Sequence, residues 1–324
     1  MAKRILSGVK PSGELHLGNY FGAVKQHIDL QDIPDAERFY FIADFHSLTT
    51  VHDAAKQREF VQGIALDYLA LGLDPAKSTF FRQSDVPEVT ELAWLLATVT
   101  NMGLLERAHS YKDKKAKNLP VNMGLFYYPV LMAADILIYK SDLVPVGQDQ
   151  IQHIEMTQDM ATHFNETFKT KVLVRPEAKL SSTPKVPGTD GEKMSKSYGN
   201  TIALQSNEKE LKKTVMAVKT DSTPVDQPKN PDTDNVYALY ALFASDDEKK
   251  ALADRYRAGG MGYGDAKKLL LEKVLTHFAD YRKKRAELLA KPEIVEQVLR
   301  DGAAKARAIA RQTLDEAKTA CGLK

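Results

Sequence analysis

Cysteine is almost missing from this chain: its 324 residues include one, Cys321. One thiol makes neither an intrachain disulfide nor a multi-cysteine metal site, so a reducing, cytoplasmic setting is expected. An excess of charge is missing too. Lys and Arg number 45 against 43 Asp and Glu, a net +2, so any nucleic-acid surface must come from local clustering. No stretch approaches the roughly 20 apolar residues of a membrane span. The start, MAKRILSGVK, is basic without a long apolar run, and no signal peptide is expected. Tryptophan is as scarce as cysteine, and the single one, Trp94, is expected in a core.

What is present is an ordinary globular composition, 43% hydrophobic and 27% charged, with length for two domains. Strands are expected at 4–9, 38–43, 78–82 and 143–147. Helices are expected at about 16–30, 53–73, 87–107, 122–140 and 149–168. In the second helix Phe60, Val61, Ile64, Tyr68 and Leu71 recur at helical spacing. SYKDKKAKNLP reads as an exposed loop. Strand–helix alternation predicts an α/β fold with a parallel sheet covered on both faces, where ligands sit at the carboxyl ends of the strands. After about residue 190 the pattern becomes helical, at 206–219, 234–244, 246–257, 263–290 and 292–319. The expected domains are therefore 1–190 and a helical 191–288, with helix 289–324 packing back on the first.

Two motifs carry chemistry. Pro11-Ser12-Gly13-Glu14-Leu15-His16-Leu17-Gly18-Asn19 follows the first strand. It turns at Pro11 and Gly13 and opens a helix, whose unpaired N–H groups and dipole favour an anion. His16 and Asn19 share a face, and Gly18 leaves a flank open. Taken alone, this is equally a strand–turn–helix with a surface histidine. About 180 residues later comes Lys193-Met194-Ser195-Lys196-Ser197. Two lysines three apart on a glycine-rich loop suit a triphosphate and a leaving pyrophosphate; alone they are equally a solvated lysine loop.

Together the motifs resemble the HIGH and KMSKS signatures of class I aminoacyl-tRNA synthetases. Asn19 replaces the second HIGH histidine, as in the tryptophanyl and tyrosyl branch, and the chain has that branch's short length. The resemblance implies a Rossmann-like catalytic domain and a smaller all-helical anticodon-binding domain. It assigns catalysis to His16, Asn19, Lys193 and Lys196. It places Lys10, Pro11, Ser12, Gly18, Gly147, Gln148, Asp149, Val186, Met194, Ser195 and Ser197 at ATP, which enters with Mg2+. Lys10 departs from the glutamine common there and adds a cation. Asp149 is also a candidate helix cap.

Asp135 is the only charged residue in the apolar stretch 123–139. A buried carboxylate needs a partner, either within the protein, such as a backbone N–H or Lys140, or on a ligand. YPVLMAADILIY followed by VPVGQDQIQHIE resembles the tryptophanyl pattern, which implies that Asp135 accepts an indole N–H. By the same resemblance Leu6, Gly8, His46, Tyr128, Met132, Val144, Val146 and Gln150 surround the amino acid, with Gln150 toward its amino group. His46 read alone is equally a core histidine.

The partners implied are tryptophan, ATP, tRNA(Trp) and a second copy of the chain. Dimer contacts are expected from the 87–140 helices through Met102, Leu104 and Leu105. Basic clusters at Lys112, Lys114, Lys115 and Lys117, and at Arg282, Lys283, Lys284 and Arg285, are tRNA contacts or solvated faces. With Cys321 alone, no iron–sulfur cluster is expected, although related chains with PGTDGEKMSKSYGN include some that carry one. The first motif is expected on the rigid sheet domain and the second at a hinge, so that their separation changes during turnover. Open alternatives are a tyrosyl enzyme, a nucleotidyltransferase acting on small molecules, and a non-enzymatic sensor of tryptophan or tRNA.

Overall fold

The computed structural model describes residues 2–118, 120–180 and 185–324, with Ser110 described for its backbone only. Five parallel strands form one sheet: β1 (Lys3–Val9), β2 (Ala36–Ile42), β3 (Thr79–Arg82), β4 (Leu143–Val146) and β5 (Glu177–Leu180). Their order is β3-β2-β1-β4-β5. The chain builds outward from β1 to β3, then returns to lay β4 on the other side of β1. That reversal opens a crevice beyond the carboxyl ends of β1 and β4, the usual ligand position in such sheets.

Alternate residues of β2 bury opposite faces. Phe39 and Phe41 pack with Tyr139 and Phe81, whereas Tyr40 stacks on His27. With both faces covered, β2 reads as a continuous apolar run, as parallel strands do. The strand β5 was not anticipated: its EAKL is short, lies at the sheet edge and is half-exposed, so it lacks an apolar pattern.

The chain divides into two compact units, Met1–Gly13 with His27–Ser182 and Lys291–Lys324, and Glu14–Gln26 with Thr183–Ala290. The first contains the sheet and the helices α1 (Ala54–Ala70), α2 (Glu88–Ala97), α3 (Met123–Leu137), α4 (Ile151–Thr167) and α5 (Pro292–Ala320). α5 lies on β3 so closely that a Cβ at Gly302 would strike the Phe80 carbonyl. Ion pairs join it to Glu88, through Arg307 and Arg311, and to Glu91, through Lys318. Burial pushes the Glu88 carboxyl up, but the two guanidiniums outweigh it and hold the group below its ordinary range.

The second unit is helical. Its core contains Leu211, Val215, Leu239, Leu252, Leu270 and Val274, together with an aromatic cluster of Tyr20, Phe21, Phe243, His277 and Phe278. The segment expected as a regular helix at 16–30 contains a π turn at Tyr20–Val24, and both Tyr20 and Phe21 reach that cluster. The Tyr20 hydroxyl pairs with His277 Nε2 at 3.0 Å.

Other expectations change locally. Helix 87–107 is two helices, because Thr98 and Thr100 turn their hydroxyls back onto the carbonyls of Leu95 and Leu96. The helix at 263–290 breaks at Phe278. The lysine-rich loop contains the helix His109–Ala116, with Lys117 paired to Asp113 one turn back; its Leu119 lies outside the described residues. Trp94 is not in a core: it is 68% exposed. Leu104 and Leu105 are buried, and Met102 alone of that trio is exposed.

Candidate active site

In the first unit, polar residues gather just past the strand ends. β2 leads into Asp44, Phe45 and His46; β3 into Gln83 and Ser84; β4 into Gly147, Gln148, Asp149 and Gln150. Asp135 reaches this region from α3 and is 2% exposed. Its partners are His46 Nε2, 2.8 Å from Oδ2, and Gln83 Nε2, at 2.8 and 2.9 Å from the two oxygens. Lys140 is engaged elsewhere, with Glu316 at 2.6 Å. Burial pushes the Asp135 carboxyl up, against the hydrogen bonds from His46 and Gln83 that favour its charge. Asp44 is likewise raised by burial; it accepts the Phe45 N–H, the Ser84 N–H and the Ser84 hydroxyl.

The His46 ring meets Tyr128 edge-on, with centroids 6.4 Å apart. The Tyr128 hydroxyl in turn pairs with His153 Nε2. Burial lowers the His153 pKa, and its Nδ1 has no partner among the described residues. Met132 is half-buried, three residues before Asp135 on the same helix. Leu6 and Val144 are enclosed in the hydrophobic core, against which Val146 packs. Gly8 is exposed, and a Cβ there would meet the Phe41 ring at 2.5 Å. Gly147 similarly faces Asp149 Oδ1, 2.7 Å from where its Cβ would be. Asp149 accepts from the Gln150 side chain at 3.0 Å. Lys10, just after β1, donates to Thr49 Oγ1 at 3.0 Å. Its pKa is lowered by desolvation and then by the charge of Lys114. Pro11 and Ser12 follow it in the turn.

In the second unit the His16–Asn19 end of the first motif is tied to the second motif. The Gly18 N–H donates to Met194 Sδ at 3.3 Å. His16 bridges Ala203, and the Leu17 N–H reaches the Ile202 carbonyl at 3.0 Å. A Cβ at Gly18 would lie 3.0 Å from the His16 ring and 3.3 Å from Met194 Cβ, so a larger residue there pushes on both side chains. Asn19 Oδ1 accepts the His16 N–H at 3.3 Å, which leaves its amide NH2 for another acceptor. Burial, then the charge of Lys196, lowers the His16 pKa to about 4. The imidazole is neutral at pH 7. The first motif is divided between the units: Pro11–Gly13 belongs with the sheet, whereas Glu14–Asn19 groups with residues 183–290.

The KMSKS loop is built rather than loose. The Met194 N–H bonds the Val186 carbonyl, and Pro187 bridges Lys193. Asn200 accepts the Ser195 N–H at 2.8 Å and donates to Asp190 and to the Lys193 carbonyl. The hydroxyls of Ser195 and Ser197 pair at 2.9 Å. Lys193 and Ser197 are exposed, and Lys196 is half-buried.

Gln83, Asp44 and His153 escaped the sequence reading. The signal for the first two was positional: a polar residue immediately after an apolar strand of a parallel sheet.

The family model for tRNA synthetases class I (W and Y) matches residues 2–279. The Fusobacterium nucleatum tryptophan–tRNA ligase is 55% identical over 322 residues, 99% of this chain and 98% of that one. The Rhodopirellula baltica tryptophan–tRNA ligase is 53% identical, over 99% of this chain and 100% of its own. The crystal structure of Campylobacter jejuni tryptophanyl-tRNA synthetase complexed with ADP and tryptophan matches with a TM-score of 0.93 at 47% identity. It covers 99% of this chain and all of that one. With the signature motifs in place and likeness along its whole length, the chain belongs to the class I tRNA synthetases of the tryptophan and tyrosine branch.

Proposed function

We infer that the chain is a tryptophan–tRNA ligase. It joins L-tryptophan to ATP, releasing pyrophosphate, and passes tryptophan from the adenylate to the 3′ end of tRNA(Trp), releasing AMP. The observation that carries this is the full-length identity with tryptophan–tRNA ligases, at 55% and 53%. The Campylobacter structure holding ADP and tryptophan supports both small substrates.

The tryptophan carboxylate attacks the α-phosphorus of ATP, and negative charge moves to the departing pyrophosphate. No protein nucleophile is needed, so catalysis is positioning and electrostatics. Neutral His16 and the Asn19 amide donate hydrogen bonds to phosphate oxygens without adding charge. Lys193 and Lys196 supply the charge, with the Ser195 and Ser197 hydroxyls as further donors, and ATP enters as its Mg2+ complex. Lys10 adds a cation for the nucleotide. Asp135 accepts the indole N–H, which a tyrosine or phenylalanine ring lacks. The exposed lysines of His109–Ala116, and Lys283 and Lys284, serve tRNA. Arg282 is partly spent on the Leu275 carbonyl. The enzyme acts in the cytoplasm as a homodimer. No helix of the described residues is long and apolar enough to cross a membrane.

Pyrophosphate exchange run with each amino acid tests the reading, and tryptophan alone is expected to support it. Lys193→Ala should lower kcat by about 100-fold or more while the tryptophan KM stays close to the parent's. Equal exchange in that variant would remove Lys193 from the chemistry.

A further inference from the structure

Gln83 is 1% exposed and belongs to neither signature motif. Its Oε1 accepts the Phe45 N–H at 3.0 Å, and its Nε2 donates to both oxygens of Asp135. The partners settle the orientation of the amide. A backbone N–H can only donate, so the oxygen faces it; a carboxylate accepts, so the NH2 faces that side. The side chain is therefore a fixed wedge between the end of β2 and α3. Among the described residues, Asp135 Oδ2 takes two donors, His46 and Gln83, whereas Oδ1 takes one. Oδ1 therefore keeps more of its lone-pair capacity for a further donor.

We propose that Gln83 is a positioning residue that keeps Asp135 a hydrogen-bond acceptor turned to the substrate, and so sets selectivity for an indole N–H. This rests on the reading that Asp135 receives that N–H. If Asp135 were protonated, one oxygen would carry a hydrogen and could meet the indole donor to donor. Burial of Asp135 and the nearby charge of Asp44 both favour that protonated form; His46 and Gln83 oppose it. Tyr139, whose own pKa is raised by burial and by the Asp135 charge, is the other titratable group beside it. Gln83 touches no substrate atom in this scheme; it acts through Asp135.

Three variants of the full chain test the proposal by pyrophosphate exchange, with tryptophan and with phenylalanine, between about pH 5 and 9. Gln83→Met keeps the bulk, and the Phe45 N–H retains its bond to Asp44 Oδ1 at 3.1 Å. It should lower kcat/KM for tryptophan by roughly 10- to 100-fold, the worth of a hydrogen bond to a charged group. The ratio of tryptophan to phenylalanine should fall and the KM for ATP should hold. Losing a donor to the ionised form raises the Asp135 pKa, so the acid limb of the profile moves to higher pH. Gln83→Glu should show the opposite trend. While protonated, its hydroxyl donates to Asp135 as the amide does, and activity is retained at the acid end. As pH rises a second carboxylate forms beside Asp135 and activity falls. A side chain that merely filled space would give the two variants the same profile, and that result overturns the proposal. Asp135→Ala separates the two levels. If it keeps its selectivity, the reading of Asp135 fails and the role of Gln83 with it. If it loses selectivity while both Gln83 variants keep theirs, the positioning role alone fails.

Discussion

Gly18 shows how much a single residue decides here. Its missing side chain lets the His16 ring and Met194 lie against the same backbone, while its N–H bonds the Met194 sulfur. Gly18→Ala inserts a methyl group 3.0 Å from the imidazole. The expected result is a loss of roughly 10- to 100-fold in kcat for exchange, because small misplacements of catalytic groups cost about that much. Tryptophan affinity should be unchanged, and a kcat equal to the parent's would show that the ring tolerates displacement. His16, Asn19 and the KMSKS residues were legible in the sequence because their chemistry is local and their spacing is distinctive. Gln83 was not, since its meaning depends on a carboxylate 52 residues away in sequence. The partners of Asp135 were half-legible. Burial demanded a donor, but only the folded chain shows it to be His46 and Gln83 rather than Lys140.

At the scale of elements, most helices and four of the five strands followed from period and punctuation. Two of the failures share a cause: tertiary contacts decided them. The π turn at Tyr20–Val24 and the break at Phe278 both serve one aromatic cluster, which no local pattern reveals. Helix α5 makes the same point through Gly302. Helix propensity alone favours alanine over glycine by about 1 kcal/mol. Against that, a Cβ there would overlap the Phe80 carbonyl of β3, and backbone cannot turn aside as a side chain can. Gly302→Ala should therefore destabilise the first unit by about 1–3 kcal/mol, the usual cost of overpacking. Thermal unfolding followed by circular dichroism checks the sign, and a raised melting temperature would mean that α5 can lift from the sheet without loss.

For the whole molecule, the sequence-based division at residue 190 reflected composition: a helix-rich segment begins there. It could not show that Glu14–Gln26, next to β1 in sequence, groups with residues far downstream, since the bonds from Leu17 and Gly18 to Ile202 and Met194 span the chain. Trp94 was misassigned for a similar reason. An aromatic residue in an apolar helix satisfies a core pattern whether its partner is the same chain or another. The Tyr127 hydroxyl donates to the Ala93 carbonyl at 2.9 Å, which sets the first turns of α3 beside Trp94. Met123 at the start of α3 is 69% exposed, as large an apolar exposure as that of Trp94 itself. Large apolar side chains left exposed on neighbouring helices suit association, and the homodimer proposed above would bury them. Because Trp94 is the only tryptophan, its fluorescence reports on that surface directly. Dilution of the parent enzyme should shift its emission to the red as the indole meets water, with a midpoint matching the dimer–monomer transition in sedimentation. Trp94→Ser should sediment as a monomer at concentrations where the parent is a dimer. A dimeric Trp94→Ser, or parent emission that is already red in the dimer, would place the contact on another face of the first unit.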